Sequence, residues 1–344
     1  MRFVIVALVG LVVLLMPSEA YAWGPFTHLL CAKELLTHAA LLPPALRDLL
    51  LVNAADFYYG SVAADIVVGK NLAPHVSHAH NWRNVLRLLT SAESPRERAF
   101  AFGYLSHLAG DVVAHNTYIP FKLVESFPAK FLRHTYWEAR FDQGTYPEVA
   151  QLHQEMLTKR FPEDDKLHER VIAGTIFNFR TNKKIFDRVI VLQGVDRWQR
   201  ALGTIERRSN WILNDKERRE LLELTIQQMR AFLWKLEDSP LIQLDPRGKD
   251  AIKAAMQMRR ELKRLRRRGI IHDDQACLVG RFYWPHFYQA ASSPLELPRV
   301  SEAVEWLEQR DEEALSNGTV VPPRRAPMFR RVVEAVKNGT RHRG

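Results

Sequence analysis

The chain has 344 residues, of which 47% are hydrophobic, and a formal net charge of +10 at pH 7. This is enough for a large core in one or two domains, and the two cysteines, Cys31 and Cys277, exclude a disulfide scaffold. Residues 1–150 hold 12 basic and 12 acidic side chains, so the whole excess charge comes from residues 151–344. Eight of the 13 histidines lie between His28 and His134. The composition therefore predicts a ligand-bearing first half and a cation-bearing second half.

The first 22 residues have the pattern of a secretory signal. Arg2 precedes an apolar run of 14 residues, Phe3 to Met16, which is short for a membrane span. Pro17 ends the run, and Ala20-Tyr21-Ala22 is typical of a cleavage site. We therefore expect a mature chain that begins at Trp23 in a secreted or periplasmic compartment, and the alternative is an uncleaved N-terminal anchor. No later segment has the apolar length of a membrane span.

Apolar residues at helical spacing predict an all-α fold, because the alternation typical of strands is nearly missing. The helices predicted in chain order are Thr27–Ala40, Ala45–Val52, Ala54–Val68 (with an interruption near Gly60), Trp82–Leu89, Ser94–Pro120, Pro128–Asp142, Glu148–Arg160, Lys166–Arg180, Lys183–Arg200, Lys216–Leu236, Arg247–Arg268, Ser301–Glu313 and Ala326–Val336. Residues 71–81 form a His-rich loop, and the aromatic stretch Arg281–Tyr288 predicts a packed loop or short turn.

The helix predicted over Ser94–Pro120 carries the clearest chemical signal. Ser94, Pro95 and Glu97 have the pattern of a capping box with proline at the first position. Pro120 is expected to end the helix.

Within this helix, His107, Asp111 and His115 are spaced four apart and project from one side. At 1.5 Å rise per residue, the Cα atoms of His107 and His115 are roughly 12 Å apart, which is too far for one shared metal ion. We therefore expect a cluster of ions with Asp111 between the two histidines. The alternative is three polar side chains that are hydrogen-bonded separately.

Further residues of metal-ligand type occur along the first half of the chain. His134 and Glu138 are again four residues apart on a predicted helix. Cleavage before Trp23 gives a free amine and a nearby carbonyl group that can both bind a metal. The complete set of candidate ligands is Trp23, His28, Asp65, His80, His107, Asp111, His115, His134 and Glu138.

These residues resemble the zinc-dependent phospholipase C family, which is related to the P1-type nucleases. The resemblance covers roughly residues 23–145 and depends on a Trp that starts the mature chain, a nearby His, an Asp, a His before an aromatic residue, H-x3-D followed by another His, and H-x3-E. The start Trp23 to His28 has the nuclease spacing, whereas His134-x3-Glu138 is phospholipase-like. Asp111 and His115 are closer together than in bacterial phospholipases C and resemble the glycosylphosphatidylinositol-specific phospholipase D branch.

The resemblance implies an all-α bundle with an additional C-terminal helical region and three zinc ions. One ion is then held by Trp23, His28 and Asp111, a second by Asp65, His80, His107 and Asp111, and a third by His115, His134 and Glu138. His78 competes with His80, and the aromatic residue Trp82 favours His80. Asp65 is either a ligand or the general base.

The resemblance also implies a function: a secreted zinc-dependent phosphodiesterase in which zinc-activated water attacks the phosphorus of a phospholipid. One alternative is a single-strand nuclease of the P1 type. Another is an envelope protein that is stabilised by metal and binds membranes without catalysis. The predicted division is a signal peptide over 1–22, a phospholipase C-like domain over 23–240, and a basic helical region over 241–344.

The second half of the chain contains a strongly basic segment. Residues 249–268 include nine Lys and Arg with apolar residues between them at helical spacing. One interpretation is an ordinary solvated helix face. The other is peripheral attraction to an anionic membrane surface, or to nucleic acid if the protein is a nuclease, and such binding weakens steeply with salt.

Overall fold

The computed structural model describes residues 23–66, 79–129, 134–172, 181 and 213–316. Within these residues all regular structure is helical, which confirms the all-α prediction. The predicted signal peptide, the helices predicted at 183–200 and 326–336, and His78 lie outside the described residues.

Twelve α-helices are described: α1 (Pro25–Thr37), α2 (Pro44–Val52), α3 (Ala54–Ala63), α4 (Trp82–Ser91), α5 (Pro95–Val113), α6 (Ile119–Glu125), α7 (His134–Thr158), α8 (Pro162–Val171), α9 (Asp215–Lys235), α10 (Lys249–Arg267), α11 (Ala276–Gln289) and α12 (Val300–Ser316). Short 3-10 turns join several of them, including Ala64–Ile66 after α3 and Pro240–Gln243 after α9. Helix α5 begins with the predicted capping box between Ser94 and Glu97.

Helices α3 and α5 cross in very close contact at two glycines. A Cβ atom on Gly60 would lie 2.0 Å from the Phe100 carbonyl oxygen, and one on Gly103 would lie 2.0 Å from the Phe57 carbonyl oxygen. The predicted interruption near Gly60 is therefore wrong, because α3 passes through Gly60 as a continuous helix. Gly60 lets the two backbones approach, which sets the distance between the end of α3 and the middle of α5.

The long central helix does not end at Pro120 as the sequence predicts. A π-helical turn, Ala114–Tyr118, follows α5 and leads directly into α6, with Pro120 near its start. Proline lacks an N–H and its ring crowds the carbonyl four residues earlier, here that of Asn116. Asn116 lies within the wide turn, so the regular i→i−4 pattern is already relaxed where the proline would disturb it.

Two other prolines lie inside helices. Pro147 is within α7, so the separate helices predicted at Pro128–Asp142 and Glu148–Arg160 are one helix from His134 onward. Pro285 is within α11, which includes the aromatic stretch predicted as a loop or turn. That prediction is wrong because α11 buries the large side chains of Tyr283 and Phe287. Burying such side chains outweighs the cost of about 3 kcal/mol of one internal proline.

The buried apolar side chains form two large clusters. The first lies among α1 to α5, α8 and the second half of α9. The second surrounds Trp23 and α6 and includes α10, α11 and α12. The continuous rod formed by α5, the π turn and α6 passes from one cluster into the other.

Part of the basic helix α10 is directed inward. The Arg259 guanidinium donates hydrogen bonds to the carbonyl oxygens of Leu123 (2.6 Å) and Ala129 (2.8 Å), and Lys263 donates to that of Ala129 (3.1 Å). Burial lowers the pKa of Arg259 to about 10. These two cations bind carbonyl groups at and just beyond the C-terminal end of α6, whereas Arg260, Arg264, Arg266, Arg267 and Arg268 are exposed.

Two further predictions concern disulfide bonds and membrane-spanning helices. Cys31 is buried in α1 and Cys277 is exposed on α11, and neither forms a disulfide. None of the described helices has both the length and the apolar character needed to cross a membrane.

Candidate metal centre

The first group of predicted ligands joins α1 to the middle of α5. His28 Nε2 lies 3.2 Å from Asp111 Oδ1, and both side chains are almost fully buried. The imidazole of His28 stacks on that of His107 with ring centroids 3.7 Å apart. Residues His28, His107 and Asp111 thus offer ligand atoms close enough to hold one ion.

The second group adds two side chains, one from the turn that follows α3 and one from the segment that precedes α4. Asp65 lies in the 3-10 turn after α3, and His80 lies just before the N-cap of α4. His80 Nε2 is 3.1 Å from Asp111 Oδ2, 3.2 Å from His107 Nε2 and 3.5 Å from Asp65 Oδ1. Asp65, His80 and His107 therefore form a second set of three converging ligand atoms.

Asp111 lies between the two groups and divides its oxygens between them. Oδ1 faces His28, whereas Oδ2 faces His80 and lies 3.3 Å from His107 Nε2. Neither oxygen makes a well-aligned hydrogen bond, although the side chain is fully buried. These polar atoms lie close together without forming hydrogen bonds, which is the arrangement expected of ligands that share a cation.

The protonation states within this cluster suit metal binding. Burial first, and the neighbouring His107 second, lower the pKa of His28 to about 4, so its ring is neutral at pH 7. Burial opposes ionisation of Asp111, but the nearby His107 holds the pKa of this carboxyl well below its ordinary value. Although burial opposes protonation of His107, the Asp111 and Asp65 carboxylates raise the pKa of its imidazole. Bound cations would take over the role of the proton on His107.

The third group lies about two helical turns beyond His107, among residues of the second apolar cluster. His115 comes from the π turn, and His134 and Glu138 come from the first turn of α7. Glu138 Oε1 is 2.8 Å from His134 Nε2 and 3.7 Å from His115 Nε2. The three side chains are buried and offer converging ligand atoms. His107 and His115 thus belong to different groups.

Backbone carbonyl groups orient two of the histidine rings by binding their Nδ1 atoms. His107 Nδ1 donates a 2.8 Å hydrogen bond to the Ser61 carbonyl, and His115 Nδ1 donates a 2.9 Å hydrogen bond to the Pro246 carbonyl. In each ring the proton is thereby placed on Nδ1, which leaves the Nε2 lone pair for a metal ion. His115 Nε2 makes no hydrogen bond, although it is buried.

The segment Leu244–Gly248, which we call the strap, therefore contributes to the third group. Besides the bond from His115, the strap accepts hydrogen bonds from Asn116 to the Asp245 carbonyl (3.0 Å) and from the Trp82 indole to the Leu244 carbonyl (2.9 Å). Gly248 has φ +56° and lies so close that a Cβ atom would be 2.2 Å from the His115 carbonyl oxygen. A glycine is required there by both conformation and contact.

We expect Gly248→Ala to displace the strap and weaken metal binding at the third group. Loss of an orienting partner of a ligating histidine typically costs about 10–100-fold in metal affinity or activity. The measurement is zinc bound per chain over a range of free zinc. Gly269→Ala is the matched control, because Gly269 also has positive φ (+68°) but no neighbour within 4 Å of the added Cβ. Equal zinc affinity in the two variants would contradict the role of the strap.

Trp23, the predicted N-terminal ligand, is anchored by its side chain. Its indole is fully buried and packs on Phe141 and Tyr118, with centroid distances of 4.0 and 5.0 Å. The next residue, Gly24, touches Asp142, so that a Cβ atom would lie 2.2 Å from the carboxylate carbon. Asp142 also accepts hydrogen bonds from the Thr27 backbone and hydroxyl groups at the start of α1. The chain is therefore held firmly where it enters α1.

The structure brings the predicted His, Asp and Glu ligands together in three groups, and it adds residues that the sequence interpretation did not include. Asp142 follows Glu138 by four residues, so the spacing that located Glu138 also points to it. Burial raises the pKa of Asp142 to about 7. The Ser61 and Pro246 carbonyl groups have no sequence signal, since any residue supplies a carbonyl.

The donor set fits zinc. Buried atoms without a hydrogen bond remain on His28 (Nε2), Asp111 (both oxygens) and His115 (Nε2), and neutral imidazole and carboxylate are ordinary zinc ligands. Left without a cation, such atoms would cost folding free energy, because buried polar groups without partners are destabilising.

Comparison with known proteins gives one match. Residues 27–180 match the family described as zinc dependent phospholipase C. This segment contains every predicted ligand except Trp23. No curated protein and no solved structure gives a significant match.

Proposed function

Because the segment 27–180 belongs to the zinc-dependent phospholipase C family, we propose that the protein is a zinc-dependent phosphodiesterase that hydrolyses phospholipids in the manner of a phospholipase C. The observation that carries the proposal is the position of Asp111. It is a buried carboxylate whose two oxygens face ligand groups on opposite sides, within the matched segment.

In this proposal three zinc ions are bound. Trp23 (through its amine and carbonyl), His28 and Asp111 hold one ion, Asp65, His80, His107 and Asp111 hold the second, and His115, His134 and Glu138 hold the third. Three sets of converging side chains support the proposal: the first is His28, His107 and Asp111, the second is Asp65, His80 and His107, and the third is His115, His134 and Glu138. The buried indole of Trp23 supports a fixed position for the chain start.

Bound zinc supplies Lewis-acid polarisation of the phosphoryl oxygens and activates water for attack on phosphorus. Asp65 is proposed to have two roles: Oδ1, which lies 3.5 Å from His80 Nε2, would help to hold the second ion, and the other carboxylate oxygen would act as general base for the attacking water. The bond between phosphorus and the diacylglycerol oxygen breaks, and that oxygen takes up the proton. Asp111 keeps its negative charge throughout and balances the cations on either side.

The proposal includes export and membrane contact. Cleavage after Ala22 would free the Trp23 amine, next to Gly24 and its contact with Asp142, in a secreted or periplasmic protein. The cations of α10 that remain exposed, among them Arg260, Arg264 and Arg267, would attract the protein to an anionic lipid surface.

The test is a hydrolysis assay on the zinc-loaded chain that begins at Trp23. Phosphatidylcholine, an anionic phospholipid and single-stranded DNA are offered in parallel, with and without a chelator. We expect chelator-sensitive release of diacylglycerol from a phospholipid. Cleavage of DNA alone would replace the proposal with the nuclease alternative. A protein that chelation destabilises but that cleaves none of the three would be a non-catalytic membrane-binding protein.

A matched pair of histidine variants completes the assay. His107→Ala removes a buried ligand, whereas His38→Ala removes an exposed histidine outside the three groups. Only His107→Ala should abolish hydrolysis, and circular dichroism shows whether each variant folds. A folded His107→Ala protein with full activity would exclude both enzyme functions.

A further inference from the structure

A groove of about 740 Å³ opens beside the second ligand group. One wall is the residue pair His80 and Asn81 with the exposed face of α4, and the other is the region from Ile242 to Arg247. His80 is shared between the groove and the ligand cluster, where its Nε2 lies 3.1 Å from Asp111. A phosphodiester at the cluster can therefore extend its headgroup into this groove.

Two exposed arginines of α4 line the groove. Arg83 and Arg87 are one helical turn apart on α4, and both are exposed. Within the described part of the chain neither forms an ion pair. The third arginine, Arg247, is bound to Asp245 through Nε at 2.9 Å and a terminal nitrogen at 3.3 Å.

The remaining acidic group of the lining is Glu237, which is exposed at the far wall. With Arg247 neutralised by Asp245, two guanidinium groups face one carboxylate. Guanidinium groups bind phosphate oxygens in pairs and with defined geometry, and they repel a quaternary ammonium group. The charge of the groove thus opposes a choline headgroup and favours an anionic one.

We infer that Arg83 and Arg87 select phospholipids whose headgroup carries an additional phosphomonoester. This inference rests on the proposed phospholipase function and names its substrate class. The diester phosphate lies at the metal cluster, and the second phosphate is bound by the two arginines in the groove beside it.

The experiment uses short-chain lipids below their micellar concentration, so that attraction to a bilayer surface plays no part. The zinc-loaded protein is assayed with dihexanoyl phosphatidylinositol 4-phosphate and with dihexanoyl phosphatidylcholine. We expect a higher kcat/KM for the phosphoinositide. The double variant Arg83→Ala/Arg87→Ala should lower that value by roughly tenfold or more, mainly through KM, because it removes the charged hydrogen bonds to the second phosphate. Its kcat/KM for phosphatidylcholine should not fall and should rise if anything, because the variant removes the two charges that oppose a choline headgroup.

The control is the double variant Arg98→Ala/Arg219→Ala, which removes the same charge from exposed positions outside the groove. Arg219 is roughly 24 Å along α9 from Lys235, where the helix ends before Glu237, at 1.5 Å per residue. The control should hydrolyse both lipids like the unmodified protein.

Three results would overturn the inference. An equal loss on both lipids in the groove variant would show a structural role for the arginines. Equal or better hydrolysis of phosphatidylcholine by the unmodified protein would reject the substrate class and leave the phospholipase function intact. Hydrolysis of neither lipid, together with cleavage of single-stranded DNA, would reject the inference and the proposed function together.

Discussion

Asp111→Asn should reduce phospholipid hydrolysis on the order of 10³-fold or more, because metal ions contribute several kcal/mol to such reactions. The amide keeps the size of the side chain but removes its negative charge and one acceptor oxygen. Its NH₂ group would also point at an imidazole nitrogen on one side, either His28 or His80. We expect lower zinc content in both groups that share Asp111, measured by elemental analysis together with kcat/KM.

The matched control for this substitution is Asp48→Asn, which changes an exposed carboxylate paired with Arg47. It should leave zinc content and activity unaltered. If Asp111→Asn retained the zinc content and the activity of the unmodified protein, Asp111 would not be the shared ligand.

Gly103→Ala should lower the free energy of unfolding by about 3 kcal/mol, which is the upper part of the usual range for overpacking. The added methyl group would meet the Phe57 carbonyl oxygen at 2.0 Å and the Ser61 nitrogen at 2.9 Å. These are backbone atoms, so the strain can be relieved only by separating α3 from α5. Denaturant titration of the zinc-loaded protein measures the loss.

Gly110→Ala on the same helix is the control for Gly103→Ala. Its nearest contacts would be at 3.6 Å, an ordinary van der Waals distance. Since alanine is favoured over glycine in a helix by about 1 kcal/mol, this variant should be as stable as the unmodified protein or more so. Equal stabilities for the two variants would show that the crossing of α3 and α5 is not tightly packed.

The fold class and most helices follow from the pattern of apolar residues, and the structure confirms the all-α prediction. The wrong details concern glycine and proline. Gly60 is expected from local rules to interrupt a helix, but its lack of a side chain serves a helix crossing. Local rules describe what such residues do to an isolated helix, and they contain no information about the neighbour that will pack there.

The prolines also show that local rules do not account for packing against the rest of the fold. Pro120, Pro147 and Pro285 all lie within helices that the sequence pattern ends early or leaves out. An internal proline costs about 3 kcal/mol, a sum that a few well-buried aromatic side chains exceed. The sequence pattern therefore shows where a proline destabilises a helix, but it does not show how much burial of apolar side chains offsets that cost.

The candidate site is predictable to the extent that its residues are chemically distinctive. Four-residue spacing identifies His107, Asp111 and His115, and the rise of a helix is sufficient to assign the two histidines to different ions. The groove arginines Arg83 and Arg87 cannot be singled out by sequence among 49 basic residues. What distinguishes them is their position in the groove beside His80 without an ion pair among the described residues, and that is a property of the folded chain.

The strap lies much later in the chain than the ligand that it orients. The Pro246 carbonyl, which orients His115, comes 131 positions later in the chain. During synthesis, His115, His134 and Glu138 all emerge long before the segment that fixes the direction of the His115 ring. The His115 ring therefore gains its backbone partner only after the chain has been made as far as Pro246, so the geometry of the third group cannot be complete before then.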